Sequence, residues 1–418
     1  MTSLIQPGEV IGGAMLAGIR ILDLTREAGF LAGKILADLG AEVIKVEPPG
    51  GDLEGRRGPF LEGVSDPERS LLWLALNTSK RGITLALDSE RGRAIYRSLV
   101  KASDVVLETE PPGALAKLGL DYESQREGHP GLIHCALTPF GSDGPFASYR
   151  AHDLVAVAMG GNAALTGDPD RPPIRCSLPT AYYHAGPEAA LGIAMALFAR
   201  ARGGGGRFVD VSLRESQLST LMAGPGQHAH TPRVHRRNGS LLGRTREIWK
   251  AGDGDITFGL RGGQARIPNL KATVDYMAEA GMAPDWLVDY DWENYNHNSV
   301  SDDEIARLEA AFGAFFATKT RRELYEQALA RRIMLAPCND AREILDQAQL
   351  RSRSLFTTID YPEFGAAIEH PDFFAKSNRC SIGIRSRAPR IGEHNAEVFG
   401  EIGLAAADLA ALSGEGVI

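Results

Sequence analysis

The chain has few cysteines, no long apolar run and no excess of positive charge, and each shortage removes a class of protein. Cys135, Cys176, Cys338 and Cys380 stand apart, with no CxxC pair and no Cys/His cluster. That excludes a disulfide framework and a zinc site, so no metal is expected and the compartment should be reducing. No apolar run reaches the roughly eighteen residues a spanning helix needs. The opening MTSLIQPGEVIGGAMLAGIR has no basic stretch ahead of its apolar part, so no secretory leader is predicted and the expected location is cytoplasmic. With 45 Lys and Arg against 53 Asp and Glu, the formal charge is −8. This argues against nucleic acid or an anionic membrane as partner, although a local basic pocket for a small anion remains open. Also missing are GxGxxG, a P-loop, GxSxG and HExxH. Nucleotide hydrolysis, α/β-hydrolase chemistry and zinc peptidase chemistry are thereby excluded by their usual signatures.

What is present is an alternation of short apolar strands and amphipathic helices. RILDL (20–24) predicts a strand, the following segment to 40 a helix, and AEVIKVE (41–47) a second strand that ends in the turn PPGGD. GITLALD (82–88), DVVLE (104–108), GLIHCAL (131–137) and FVDVSL (208–213) predict further strands, and 89–103 and 181–200 predict helices. Strand and helix in this order predict a doubly wound α/β sheet with ligands at the carboxyl ends of its strands. From Gly224 to Arg246 the composition turns to Gly, Pro, His and Arg, which predicts an irregular linker. A hairpin is predicted over 249–260, opening a smaller second domain. The acidic, aromatic stretch DWLVDYDWENYNHN (285–298) is expected to be a solvated loop or an interface, and a helix resumes at Arg321.

Three features carry candidate chemistry. PPGGD after a strand is either a phosphate cradle, whose glycines let backbone N–H groups converge on an anion, or a tight turn. The basic run of Arg233, His235, Arg236, Arg237, Arg244 and Arg246 is either a solvated linker or a contact for phosphate or carboxylate. FGLRGGQ (258–264) is either a hairpin turn or a glycine loop able to pack over a ligand as a lid. His152–Asp153 follow a Gly/Ser/Pro turn and precede an apolar helix. An aspartate there is well placed to cap a helix, and a carboxylate at a helix mouth is also a candidate nucleophile.

The motifs say more together. ILDLTREAGFLAGKILADLGAEVIKVEPPGGD (21–52), NTSKRGITLAL (77–87), PGALAKLGLDY (112–122), PGLIHCALTPFGSDGPFA (130–147), HDLVAVAMGG (152–161), GRFVDVSLRES (206–216) and APRIGEHNAEVFGEIGL (388–404) follow one another in order. In this they closely resemble the class III CoA-transferase family, which includes formyl-CoA and carnitine CoA-transferases and α-methylacyl-CoA racemase. The resemblance implies a Rossmann-like large domain (1–224 with 331–418), an inserted small domain (225–330) and an interlocked dimer, either a homodimer or a heterodimer with a paralogous subunit. Its implied partners are an acyl-CoA and a free carboxylic acid, with coenzyme A entering as substrate thioester. Its implied activity is CoA transfer from a donor such as succinyl-CoA to a substituted dicarboxylate.

By the same resemblance Asp153 is the nucleophile, passing through a mixed anhydride and an aspartyl-CoA thioester. Glu27, Ala28, His152, Gly259, Gly262 and Gly263 form the substrate and oxyanion loops. Lys45, Arg56, Arg57, Pro111 and Gly144 are the expected CoA contacts. Pro111 stands where the family commonly has an arginine beside the adenine, and Leu260 and Arg261 interrupt the usual glycine run. Three alternatives stay open: intramolecular CoA transfer within a diacid, α-proton racemisation, and a non-catalytic CoA-binding subunit. Racemisation needs a second acid/base group on the opposite face, and Thr180 occupies the place expected for it.

Overall fold

Apolar strands separated by amphipathic helices bury both faces of a sheet only if it is parallel and wound in both directions. The computed structural model describes residues 13–418 apart from Leu53, Pro232 and Arg233, so Arg233 of the basic run lies outside the described residues. Six strands form one all-parallel sheet: β1 (Arg20–Leu24), β2 (Glu42–Glu47), β3 (Lys80–Thr84), β4 (Val105–Glu108), β5 (Ile133–Thr138) and β6 (Arg207–Ser212). Their order is β3-β2-β1-β4-β5-β6, the dinucleotide-fold order, which reverses direction between β1 and β4. The expected doubly wound α/β fold is therefore present.

Alternate residues along each strand enter opposite cores. Ile21, Val43, Val105, Ile133 and Val211 pack under α1 (Glu27–Asp38) and the long helix running from Thr180 to Ala201. Their neighbours Leu22, Ile44, Ile83 and Val106 pack under α2 (Glu90–Lys101) and against Val398, Phe399 and Leu412 near the C-terminus. The chain's last segment thus closes a core that the first segment opened. Gly186 permits close contact within the first layer, since an added Cβ would lie 3.3 Å from the Ala32 backbone nitrogen.

The chain divides into two compact units. The first comprises residues 13–163, 175–231 and 350–418 of the described chain, and the second comprises 164–174 and 234–349. The boundaries expected at 224/225 and 330/331 both fall before the observed ones, and the short segment 164–174 was not expected in the second unit. Within that unit β7 (Ile248–Ala251) and β8 (Gly254–Phe258) form the predicted hairpin. Its third strand, Leu335–Pro337, pairs antiparallel with β8.

Two sequence expectations need correction. Residues 285–298, expected as a solvated loop or an interface, are solvated only in part: their charged side chains face water while Leu287, Trp292 and Tyr295 are buried in the second unit's core with Phe258, Phe312 and Phe316. The acidic residues hid an apolar spacing that only the fold makes consecutive. The stretch 224–246 is not uniformly irregular, because Gly224–His230 is helical.

Candidate active site

The helix α3 (Asp153–Met159) and α4 (Thr180–Ala201) meet at their N-termini. His152 occupies the N-cap position of α3 without a side-chain cap bond, so the first turn depends on its neighbours. They cap each other. Asp153 Oδ1 accepts the backbone N–H of Ala181 at 2.8 Å, and the Asp153 N–H donates to the Tyr182 hydroxyl oxygen at 3.2 Å. Both exchanges satisfy donors that a helix end would otherwise leave open, and the carboxylate lies where two helix dipoles favour negative charge.

Asp153 is 9% exposed. Burial raises its pKa from the ordinary aspartate value, opposed by the Ala181 hydrogen bond and by the charges of Arg175 and His152. Tyr182 and Tyr183 are half-buried beside it, and burial raises both phenols. Thr180 is the first residue of α4. The junction therefore offers one carboxylate, one imidazole and two phenols.

Across the sheet's switch point between β1 and β4 lies a cleft of about 400 Å³. Leu24–Arg26, Lys45–Pro49, Leu85–Asp88 and Glu110 line it, at the carboxyl ends of β1 to β4. This is where an open α/β sheet binds ligands. Gly50 and Gly51 both adopt positive φ (86° and 87°) in the PPGGD turn at its rim, which only glycine does without strain.

The expected cofactor contacts are distributed differently. Arg56 is buried, forked onto Glu47 (2.8 and 2.9 Å), paired with Glu68 (3.0 Å) and stacked on Trp73. It holds the β2 turn together. Lys45 is also buried and donates to the Asp23 and Thr25 carbonyls, so its ammonium supports the cleft floor. Arg57 is half-exposed and pairs with Glu27. Pro111 lines a separate cleft of about 290 Å³ with Tyr122, His134 and Phe208. Gly144 is exposed, with φ +82°, in the loop between β5 and α3. Ala28 is half-buried in the first turn of α1.

The family-like NTSK segment has a structural explanation that spacing alone did not reveal. Lys80 Nζ donates to Asp23 Oδ2 (2.8 Å), Asn77 Oδ1 (2.9 Å) and the Phe30 carbonyl (3.1 Å), satisfying all three ammonium protons in a buried site. Burial lowers the Lys80 pKa to about 8, opposed by Asp23. For Asp23, burial pushes upward, but Lys80 and Lys45 outweigh it and hold the carboxyl below its usual value. Gly33 allows this approach, because a Cβ there would sit 2.2 Å from Asp23 Oδ2.

In the second unit the glycine loop is pinned at several points. Leu260 is fully buried and its carbonyl accepts the Tyr295 hydroxyl at 2.9 Å. Arg261 pairs with Glu247, and the Gly262 N–H donates to His297 Nδ1 at 3.2 Å. A Cβ on Gly262 would lie 2.1 Å from the Tyr295 carbonyl oxygen, and one on Gly259 would lie 2.8 Å from Glu247. Gly263 takes φ +109°. Leu260 and Arg261 thus interrupt the glycine run because they anchor it.

No group of His, Cys, Asp and Glu suited to a metal ion occurs among the described residues, and no helix among them is long and apolar enough to cross a membrane. Residues 16–395 match the family model described as CoA-transferase family III. The chain is 31% identical over 399 residues to the succinyl-CoA:(R)-benzylsuccinate CoA-transferase subunit BbsE of Thauera aromatica, covering 95% of this chain and 96% of that one. It is 30% identical over 417 residues to a formyl-CoA:oxalate CoA-transferase of Streptomyces avermitilis, covering 96% and 99%. A crystal structure of a CAIB/BAIF family protein from Brucella suis superposes with a TM-score of 0.80 at 27% identity, over 94% of this chain and all of that one.

Proposed function

The chain belongs to CoA-transferase family III, and on that premise we propose that it moves CoA from an acyl-CoA thioester to a free carboxylic acid at the α3–α4 junction. The observation that carries this reading is the convergence of two helix N-termini on one carboxylate, Asp153. A carboxylate so placed can attack the thioester carbonyl, expelling CoA thiolate and forming a mixed anhydride. The thiolate then attacks the aspartyl carbonyl, giving an aspartyl-CoA thioester and free donor acid. The acceptor carboxylate repeats these steps in reverse and leaves as the new thioester. Acyl activation is conserved throughout, so no nucleotide is hydrolysed. Backbone N–H groups at the two helix ends would face the developing oxyanions, where one donor is typically worth about 3 kcal/mol.

The nucleotide end of CoA fits the cleft at β1 to β4, with the Pro48 and Pro49 rings and Leu85–Leu87 as apolar walls. Arg26 is its half-exposed cation, shared with Glu54 and Glu110. Succinyl-CoA as donor and a substituted dicarboxylate as acceptor agree with the activities named for several of the relatives. The assembly we propose is an interlocked pair.

A specific observation favours a second reading. The Ala181 hydrogen bond and burial make Asp153 a staple between α3 and α4. In that case the acylated carboxylate belongs to a paralogous partner, and this chain serves as the companion subunit; the Thauera relative is itself named as a subunit. Asp153→Asn separates the two, since asparagine still accepts the Ala181 N–H but cannot form an anhydride. Loss of CoA exchange with an intact fold supports the nucleophile. Full exchange in a complex of two different chains supports the staple.

A further inference from the structure

Arg57 is held at the backbone, and its tip is exposed to solvent while paired with Glu27. Its carbonyl accepts the Ser70 hydroxyl at 2.6 Å, while its side chain is 55% exposed. The guanidinium meets one carboxylate: both oxygens of Glu27 lie on the same terminal nitrogen, at 2.6 and 2.8 Å. Glu27 opens α1, where the helix end favours its charge. α1 packs along α4, with Ala28, next to Glu27, and Tyr182 set against the same apolar core, so the charges of Arg57 and Glu27 act on both Tyr182 and Tyr183, as does that of Asp153. Tyr182 also touches Asp153 directly. One phenol thus touches the Asp153 backbone, and both tyrosines lie within electrostatic reach of an exposed arginine that already carries a carboxylate.

We propose that Arg57 is the subsite for the distal carboxylate of a dicarboxylic acid, that Tyr182 and Tyr183 flank the carbon chain between the two ends, and that Glu27 fills the subsite until the substrate displaces it. The inference rests on the CoA-transferase reading and narrows its acceptor. An arginine presents a planar fork matched to a carboxylate, and Glu27 shows the subsite occupied by one. A monocarboxylate fills only the reacting end. Glu27 acts as a tethered competitor, so it weakens binding of diacids without contacting the reacting carbonyl.

The test compares glutarate with pentanoate, which have the same number of carbons and differ by one carboxylate, as acceptors from succinyl-CoA. In the wild-type assembly, kcat/KM should favour glutarate. In Arg57→Gln that preference should fall about 10-fold or more, and in Glu27→Gln it should rise. An unchanged preference in Arg57→Gln overturns the proposal. Direct binding of the two acids, followed by saturation-transfer NMR on the same proteins, makes the result independent of turnover. If no transfer occurs but glutarate binds better than pentanoate and loses that advantage in Arg57→Gln, the subsite stands while the transfer reading fails. Equal binding of both acids to the wild type removes the subsite.

Discussion

Replacing Asp153 by asparagine and by alanine gives three numbers that the geometry fixes in advance. Alanine leaves the N–H of fully buried Ala181 without its acceptor, at a cost of about 1–3 kcal/mol. It also removes a charge whose burial outweighs the pull of the two helix N-termini, so losing the charge itself carries no net cost near neutral pH. Asparagine keeps the acceptor and loses only the charge, so it should cost about 1 kcal/mol less than alanine or better. Denaturant titration of the intact assembly reads this difference. The pH dependence follows from the same site. Burial raises the Asp153 pKa above 3.8, so the folded chain holds this proton more tightly than the unfolded chain. Its contribution to stability is fully present below that value and is lost as pH rises through the folded pKa. That slope should vanish in both variants. For activity, a nucleophile predicts that asparagine and alanine both lose at least about 10³-fold in exchange rate. Equal stability of the two variants would refute the hydrogen-bond argument, and wild-type exchange by Asp153→Asn would refute the anhydride.

Other perturbations follow from single contacts. Lys80→Met leaves Asp23 buried with Lys45 as its remaining cation, and should destabilise the first unit by about 3–5 kcal/mol in chemical denaturation. Arg56→Ala strands Glu47 in the core and should cost a similar amount, with the PPGGD turn losing protection in hydrogen exchange first. Gly262→Ala forces the loop off the Tyr295 carbonyl, and should raise exchange across residues 259–263 while the first unit is unaffected. His297 accepts the Gly262 N–H as a neutral ring, and burial with Arg261, Arg266 and Arg244 lowers its pKa below 6.5. That anchor should therefore hold above pH 6.5 and weaken as pH falls through the lowered value, which exchange measured across pH would show.

The strands were legible because each is bounded by a turn residue and carries apolar residues on both faces. Arg20–Leu24, Glu42–Glu47 and Val105–Glu108 lie within a residue of their predicted limits. The third strand is expected at 82–88 but runs Lys80–Thr84, because Lys80 and Arg81 do not look like strand residues until Asp23 and Glu42 pair with them. Residues 285–298 misled for the same reason: charge dominated the composition, while Trp292 and Tyr295 supplied the core. Asp153 was legible as a helix-mouth carboxylate, but its acceptor role needed Ala181, which is 28 residues away in sequence. Lys45, Arg56 and Arg57 are expected at CoA, and sequence cannot show that Asp23, Glu47 and Glu27 already occupy them.

The central claim is that acyl groups are handled where α3 and α4 meet. A photoreactive succinyl-CoA analogue, cross-linked to the intact assembly and mapped by peptide mass spectrometry, tests it directly. The label should fall on His152, Asp153, Tyr182 or Tyr183 and be displaced by unlabelled succinyl-CoA. Label confined to the Pro111–Phe208 cleft, or label that excess succinyl-CoA does not displace, would contradict it.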